Sequence, residues 1–552
     1  MPGSMHSFES SGSPLLSLDS GLQNPIEFLL GSNSSPSQLQ LDFVGNRLSA
    51  LTRQVDHLRE RIKVLDLQSQ ICRAILSPLR RVPLEILGEI FKLVVPLHLV
   101  AKDRRMVGNL GRVCQRWRDA LLCTPSIWRG LVMGPCTCAG LESMEVDRRH
   151  DEDYAKILTW YERAGGNPKS LVYSTADPLC DCANDGYCQA VHPIVTRLMK
   201  EGLALDHITL QVASTSCYRN WVGVVGSFLR GAGEPTSPGV LRSFSLEFAD
   251  DVHHRWDDEL APGDSVFKLL PIVPVLGIRL PSCSDISNGV VEPATWLVRV
   301  PAPILGQLTM LGLRWDWGGV GLTALLSQCF ALEALTIDLS YSEPYDDGIT
   351  TPPMVLPNLN CFRLRMGGFH ILDRFLTPLL TSLDLELNVD RMETLGASER
   401  VHRFLTSSNL LGSLEYLRIC DLVGAPGTIV LVLPPLSALK HLVLDSASAC
   451  GYHFGPPPST RRGRFNHENF PSLQHLELLN LKCSRHTLLS EALYLRRQYR
   501  SQRCLITVSY AKEVRSSEAD LESRIRAVDR APALSVRIIP AVVHEDEDGE
   551  YQ

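Results

Sequence analysis

From Leu41 onward, apolar residues return at alternating steps of three and four: Leu41, Val44, Leu48, Leu51, Val55, Leu58, Ile62 and Leu65, with Arg53, Glu60, Arg61 and Lys63 off the seam. This heptad pattern predicts a helix of about 36 residues over 41–77, ended by Pro78. Its seam needs cover, either from a second copy (a homodimer through Leu41–Leu65) or from the body of its own chain. A second helix starts at Pro83, whose fixed φ and missing N–H suit a first helical position, with Glu85 in the dipole-favoured first turn. Ile86, Leu87, Ile90, Phe91 and Val94 form its apolar stripe, and Pro96 stops it. The stretch Pro96 to Gly108, with Lys102, Arg104 and Arg105, reads as a long connection. A third helix from about Asn109 is expected to bury Leu110, Val113, Cys114, Trp117 and Leu121. A hairpin this short cannot bury enough apolar area alone, so part of its stripe needs a partner or the rest of the chain.

Beyond Trp128 the polar stretch Glu142 to Asp153 reads as a loop, followed by a helix over Tyr154–Ala164 that ends at Gly165-Gly166. From about Leu171 to Ile539 the chain repeats itself loosely. Leu205, Leu241, Val275, Leu305, Leu332, Leu359, Leu380, Leu414, Leu439 and Leu473 each open a run of the form Leu-x-x-Leu-x-Leu. Period-two runs of this kind are the strands of a leucine-rich-repeat solenoid. Alternate leucines point into the core, and Thr336 and Asp338, or Asp384 and Glu386, face the concave surface. Leu322–Cys329 and Arg400–Leu405 are helical returns, and Pro357, Pro378 and Pro471 precede strands. In the tail, Ser516–Val528 reads as helical, Leu534–Ile539 as a capping strand, and Glu545–Asp548 as a solvated acidic end.

Three separated pieces occur in one order: Pro83-Leu84-Glu85-Ile86-Leu87-Gly88-Glu89-Ile90-Phe91, then Val113-Cys114-Gln115-Arg116-Trp117-Arg118, then Pro125-Ser126-Ile127-Trp128. Together they resemble an F-box. The resemblance implies docking on a Skp-type adaptor, and through it on a cullin, with Leu79, Val82, Pro83, Ile86, Leu87, Ile90, Val113, Cys114 and Trp117 as contact residues and Trp128 as a packing anchor. The phrase Trp160-Tyr161-Glu162-Arg163-Ala164-Gly165, with Pro168 and Ser170–Tyr173, resembles the segment just after the F-box in proteins of mushroom-forming fungi. The fold class expected is α/β: a long N-terminal helix and a small helical F-box, followed by a leucine-rich-repeat solenoid, a horseshoe. The divisions are a disordered 1–40, the heptad helix 41–77, the F-box 78–134, a linker and helix 135–170, the irregular solenoid 171–540 and an acidic tail 541–552. The function implied is substrate recognition for an SCF-type ubiquitin ligase, the repeats holding an unknown protein substrate. A scaffold that uses the seam and solenoid without a ligase is the alternative.

Composition narrows the rest. Hydrophobic residues at 44% and charged residues at 21% are ordinary for a globular protein. A net charge of −7 argues against nucleic acid as partner. Neither a signal-peptide core nor a membrane-length apolar run is present, so an intracellular chain, cytoplasmic or nuclear, with reduced cysteines is expected. Cys180, Cys182, Cys188 and His192, with Cys136 and Cys138 upstream, are a weak zinc candidate, since Cys-x-Cys departs from the usual knuckle. Gly318–Gly321 lacks the Lys-Ser/Thr of a phosphate loop and reads as a turn. His253-His254 with Asp257–Glu259, and the arginine patches at 461–464 and 496–500, read as solvated surface. No nucleophile elbow or paired-acid motif occurs. The expectation is a non-catalytic protein with no cofactor.

Overall fold

The computed structural model describes residues 27, 29–31, 35–76, 78–134, 143–174, 192–200, 205–212, 217–218, 220–223, 241–248, 266–268, 270–280, 300–315, 319–339, 352–387, 397–421, 431–445, 452–454, 470–481, 504–510 and 534–539. Helix α1 (Gln38–Leu76) runs for 39 residues, about 58 Å at the α-helical rise. It begins where a Ser-x-x-Gln pattern permits. The Ser37 backbone N–H donates to Gln40 Oε1 at 2.8 Å, and the Ser37 carbonyl accepts from the Gln40 and Leu41 amides. A 3-10 turn (Pro78–Arg81) follows, then helix α2 (Leu84–Val94). The predicted disorder of 1–40 and the acidic tail fall almost wholly outside the described residues.

The chain divides into two units, 1–87 and 88–552. In the second, the stretch expected to be a connection is itself helical. Helix α3 (Ala101–Val113) occupies it, and helix α4 (Gln115–Leu122) follows after a break at Cys114, whose backbone is extended (φ −163°, ψ 167°). The helix expected from Asn109 is therefore two helices. The break changes the phase of the apolar stripe: Leu121 is buried, whereas Val113 and Cys114 are exposed and Leu110 and Trp117 are half-buried. A 3-10 turn (Pro125–Trp128) leads into strand β1 (Gly130–Met133). Gly130 has to be glycine, because a Cβ there would fall 2.1 Å from the Leu97 carbonyl oxygen.

Helix α5 (Ser143–Arg163) corrects the polar loop expected over Glu142–Asp153. Its charged residues are compatible with a helix surface, with Arg148 and Glu152 paired at 3.9 Å. Val146, His150, Tyr154, Ile157 and Tyr161 recur on one face at steps of three and four. Gly165 ends the helix with φ +58°, a left-handed position that favours glycine.

Among the described residues, fourteen parallel strands form one open sheet whose spatial order is the chain order. They are β1, β2 (Ser170–Ser174), β3 (His207–Val212), β4 (Ser243–Phe248), β5 (Val275–Arg279), β6 (Met310–Arg314) and β7 (Ala334–Asp338), then β8 (Cys361–Gly367), β9 (Ser382–Leu387), β10 (Tyr416–Asp421), β11 (His441–Asp445), β12 (His475–Leu481), β13 (Cys504–Tyr510) and β14 (Leu534–Ile539). The sheet starts at Gly130, inside the segment assigned to the helical unit, and not at 171. Leu99 extends this edge through a parallel bridge to Leu131. Eight of the ten repeat templates have the predicted register. Two do not. Pairing places Leu276 and Ile278 beside Leu311 and Leu313, so those repeats read Val273-x-x-Leu276-x-Ile278 and Leu308-x-x-Leu311-x-Leu313. Met310, expected inside, is 50% exposed.

The alternate residues form one continuous core from Leu131 to Cys504. Helix α6 (Pro193–Lys200), helix α7 (Gly319–Leu326) and helix α8 (Ala397–Ser407) lie in the returns. Gly319 and Gly321 therefore sit in the first turn of a helix.

Successive strands are fastened by a recurring device. The carbonyl of the residue just before a strand, or in one case of the strand-leading proline, accepts two consecutive amides from the next repeat. Asp206 O takes Arg242 and Ser243, Glu333 O takes Asn360 and Cys361, Thr381 O takes Glu415 and Tyr416, and Lys440 O takes Gln474 and His475, at 2.7–3.0 Å. Lys169, Pro274, Thr309, Asn360 and Glu415 repeat it.

Candidate functional site

The motif residues of the first unit lie at the start of α2 and just before it. Pro83 is exposed, Val82 is half-buried and Ile86 is 51% exposed. The backbone of Leu79 is in the 3-10 turn. Leu87, grouped with these on the motif, is only 1% exposed; it is a packing residue in this conformation and presents no docking surface. Along α2 the stripe continues past the residues named from the motif. Ile90, Leu93 and Val94 are 42%, 87% and 57% exposed. Val94 belongs to the stripe predicted from the sequence, but Leu93 was missed, although a step of seven from Ile86 puts it on the same face.

In the second unit Val113 (60% exposed) and the Cys114 thiol sit at the α3–α4 break. Trp117 is half-buried, its ring edge-on to Phe91 with centroids 5.2 Å apart. Trp128 is buried, and its indole N–H donates to the Leu121 carbonyl at 2.9 Å, which fits a packing anchor. Water-exposed aliphatic residues on an ordered helix are the kind of surface a partner covers.

The outward face of the sheet is the second surface. Thr336, Asp338, Asp384 and Glu386 lie on it as expected, alternating with buried leucine and isoleucine. Register gathers further groups there. Arg418 donates to Asp384 Oδ1 at 2.9 Å and to Asp445 Oδ2 at 3.0 Å, and Arg363 Nε lies 3.5 Å from Asp384. Burial opposes the charge on Arg418, but Asp384 and the hydrogen bond to Asp445 outweigh it and raise its pKa. His441 meets Glu477 at 3.1 Å, and Gln211 donates to Glu247 at 2.8 Å. In the neighbouring strands the face is bare, at Gly277 beside Gly312.

Of the zinc candidates, Cys180, Cys182 and Cys188 lie outside the described residues, as do Cys136 and Cys138. His192 is buried. Its Nδ1 accepts the Ile194 amide at 3.2 Å, leaving Nε2 as the remaining nitrogen. Burial first, then His150, lowers its pKa to about 4, so the ring is neutral. Among the described residues no group of three His, Cys, Asp or Glu side chains is placed to hold a metal. The basic patches at 461–464 and 496–500 and the polar cluster at 253–259 also lie outside the described residues. The cysteines that are described carry free thiols, half of them buried. Among the described residues no helix is long and apolar enough to cross a membrane. Searches of protein-family profiles, curated proteins and solved structures find no match to this chain.

Proposed function

We propose that this chain is the substrate-recognition adaptor of an SCF-type cullin-RING ubiquitin ligase, resembling the F-box proteins with leucine-rich repeats of mushroom-forming fungi. The observation that carries the reading is the exposure of Pro83, Ile86, Ile90, Val113 and Cys114, positions that the F-box resemblance assigns to a Skp-type adaptor. An amphipathic helix with its aliphatic stripe in water is the usual form of a helix-in-groove contact. The strand-per-repeat sheet, ordered along the chain, supports a solenoid of horseshoe form whose concave face takes a protein substrate. This chain supplies proximity to the ubiquitin-charged enzyme and no bond-breaking chemistry of its own.

The test is capture of the cognate Skp-type adaptor by the full chain, beside Ile86→Asp and Ile90→Asp. Both positions are exposed, so folding survives. Loss of about thirtyfold or more in affinity is expected for a contact at the centre of an interface. No capture by the folded wild type would retire the adaptor reading in favour of the scaffold. That alternative draws on the exposed seam of α1, whose eight residues from Leu41 to Leu65 range from 36% to 64% exposed. Under either reading we assign the seam to a second copy of this chain.

A further inference from the structure

A half-open cleft of about 300 Å³ lies among α3, α4, the Pro125–Trp128 turn and the last turn of α5. Four arginines line it: Arg104, Arg112, Arg118 and Arg163. Its other walls are Trp128, Trp160, aliphatic side chains and two glycines, and among the described residues no acidic side chain lines it. Guanidinium groups gathered without carboxylates repel one another unless an anion joins them.

The groups these arginines touch are mostly neutral. Arg104 donates to the Leu99 and Val132 carbonyls at 3.2 and 2.9 Å, and Arg118 donates to the Gly111 carbonyl at 3.2 Å. Arg163 lies over the Trp128 ring, 4.7 Å from its centroid. Burial lowers the pKa of Arg104, with Asp153 and Asp103 only partly opposing it. The Trp160 indole, edge-on to Trp128 with ring centroids 4.6 Å apart, completes the apolar wall.

From these observations we infer that the cleft binds a phosphate monoester: the arginines take the phosphate oxygens, and the apolar walls take the body that carries it. Phosphate offers three terminal oxygens and up to two charges to several guanidinium groups, which a carboxylate cannot match. The space is roughly ten times a water's share of liquid volume, so it holds more than the anion alone. The site lies wholly within the second unit and does not depend on the ligase reading.

Calorimetric titration of the full chain with phenyl phosphate, inorganic phosphate and a phosphoserine peptide tests this. Phenyl phosphate should bind saturably, with Kd below about 1 mM, and more tightly than inorganic phosphate. Arg112→Gln changes an exposed side chain and should weaken binding about tenfold or more, the size of one lost charge-assisted hydrogen bond. A phosphopeptide that binds more tightly than phenyl phosphate makes the source a modified protein chain; a weaker one makes it a free organophosphate. No saturable heat from the folded wild type, or affinity unchanged in an Arg112→Gln/Arg163→Gln double variant, would overturn the proposal. Inorganic phosphate binding as tightly as phenyl phosphate would remove the role given to the apolar walls.

Discussion

At the scale of single residues, the sheet face contains a charged network under two constraints at once. Arg418 is 9% exposed, and Asp445 is fully buried beside it. Removing one member of such a pair leaves a charge in a poor dielectric, which costs more than the pair itself contributes. Arg418→Met should therefore destabilise the protein by about 3–5 kcal/mol, and adding Asp445→Leu should recover much of that loss. Chemical denaturation of the two variants checks it; a double variant no better than the single one would mean the network acts through geometry instead. None of this was legible in the sequence. Arg418 and Asp384 are 34 residues apart, Arg418 and Asp445 27, and only strand register makes them neighbours. Helix α2 was legible because helical periodicity is local, and the exposed residues Pro83, Ile86 and Ile90 were named through the F-box resemblance. The burial of Leu87 was not, because one apolar side chain on a wide stripe looks like the next.

At the scale of elements, α1 makes its own prediction. One seam position holds Leu41, Leu48, Val55 and Ile62 and the other Val44, Leu51, Leu58 and Leu65; from Leu51 on, β-branched residues at the first and leucine at the second favour two parallel strands. A parallel, in-register pair brings Arg61 toward Asp66 of the partner subunit. In an antiparallel pair centred on the seam Arg47 would face Arg61 instead. Light scattering of the full chain should give twice its 61.2 kDa mass, and Leu58→Asp should return the monomer. A wild type that stays monomeric at micromolar concentration would leave the seam to some other partner. The helix was legible down to its final turn, since a heptad and a proline are sequence features. Helix α3 and the first half of α5 were not. Their charged residues resemble a loop until the apolar face they share is counted over three turns. The two slipped repeats failed for a related reason: Val275 and Leu305 open patterns as regular as the true ones, because Leu280 and Leu308 are buried too. Strand β13, Cys504-Leu505-Ile506-Thr507-Val508-Ser509-Tyr510, went unpredicted for lack of the leucine template. Its β-branched run Ile506-Thr507-Val508 was the available signal.

At the scale of the molecule, a sheet whose order is its chain order couples each repeat only to its neighbours. The spacing in sequence between successive strands varies, from 21 residues between Cys361 and Ser382 to 40 between Gly130 and Ser170 in matched register. A short Gly-Ser insertion at 391–396 should thus cost less than about 1 kcal/mol, since loop-closure entropy grows only slowly with length. Leu417→Ala, deep in the core, should cost about 2–5 kcal/mol. Unfolding midpoints measured side by side separate the two. An insertion as damaging as the core change would show that return length and strand spacing are linked. The carbonyls that each accept two amides explain why they are not. They act as index marks, resetting the chain to a fixed pitch of about 4.8 Å however far it has wandered. Arg279, Arg314, Asp338 and Arg365, dozens of residues apart in sequence, consequently stand at successive marks of one scale. The face is thus graduated like a ruler, and related chains are to be compared by mark and not by residue number.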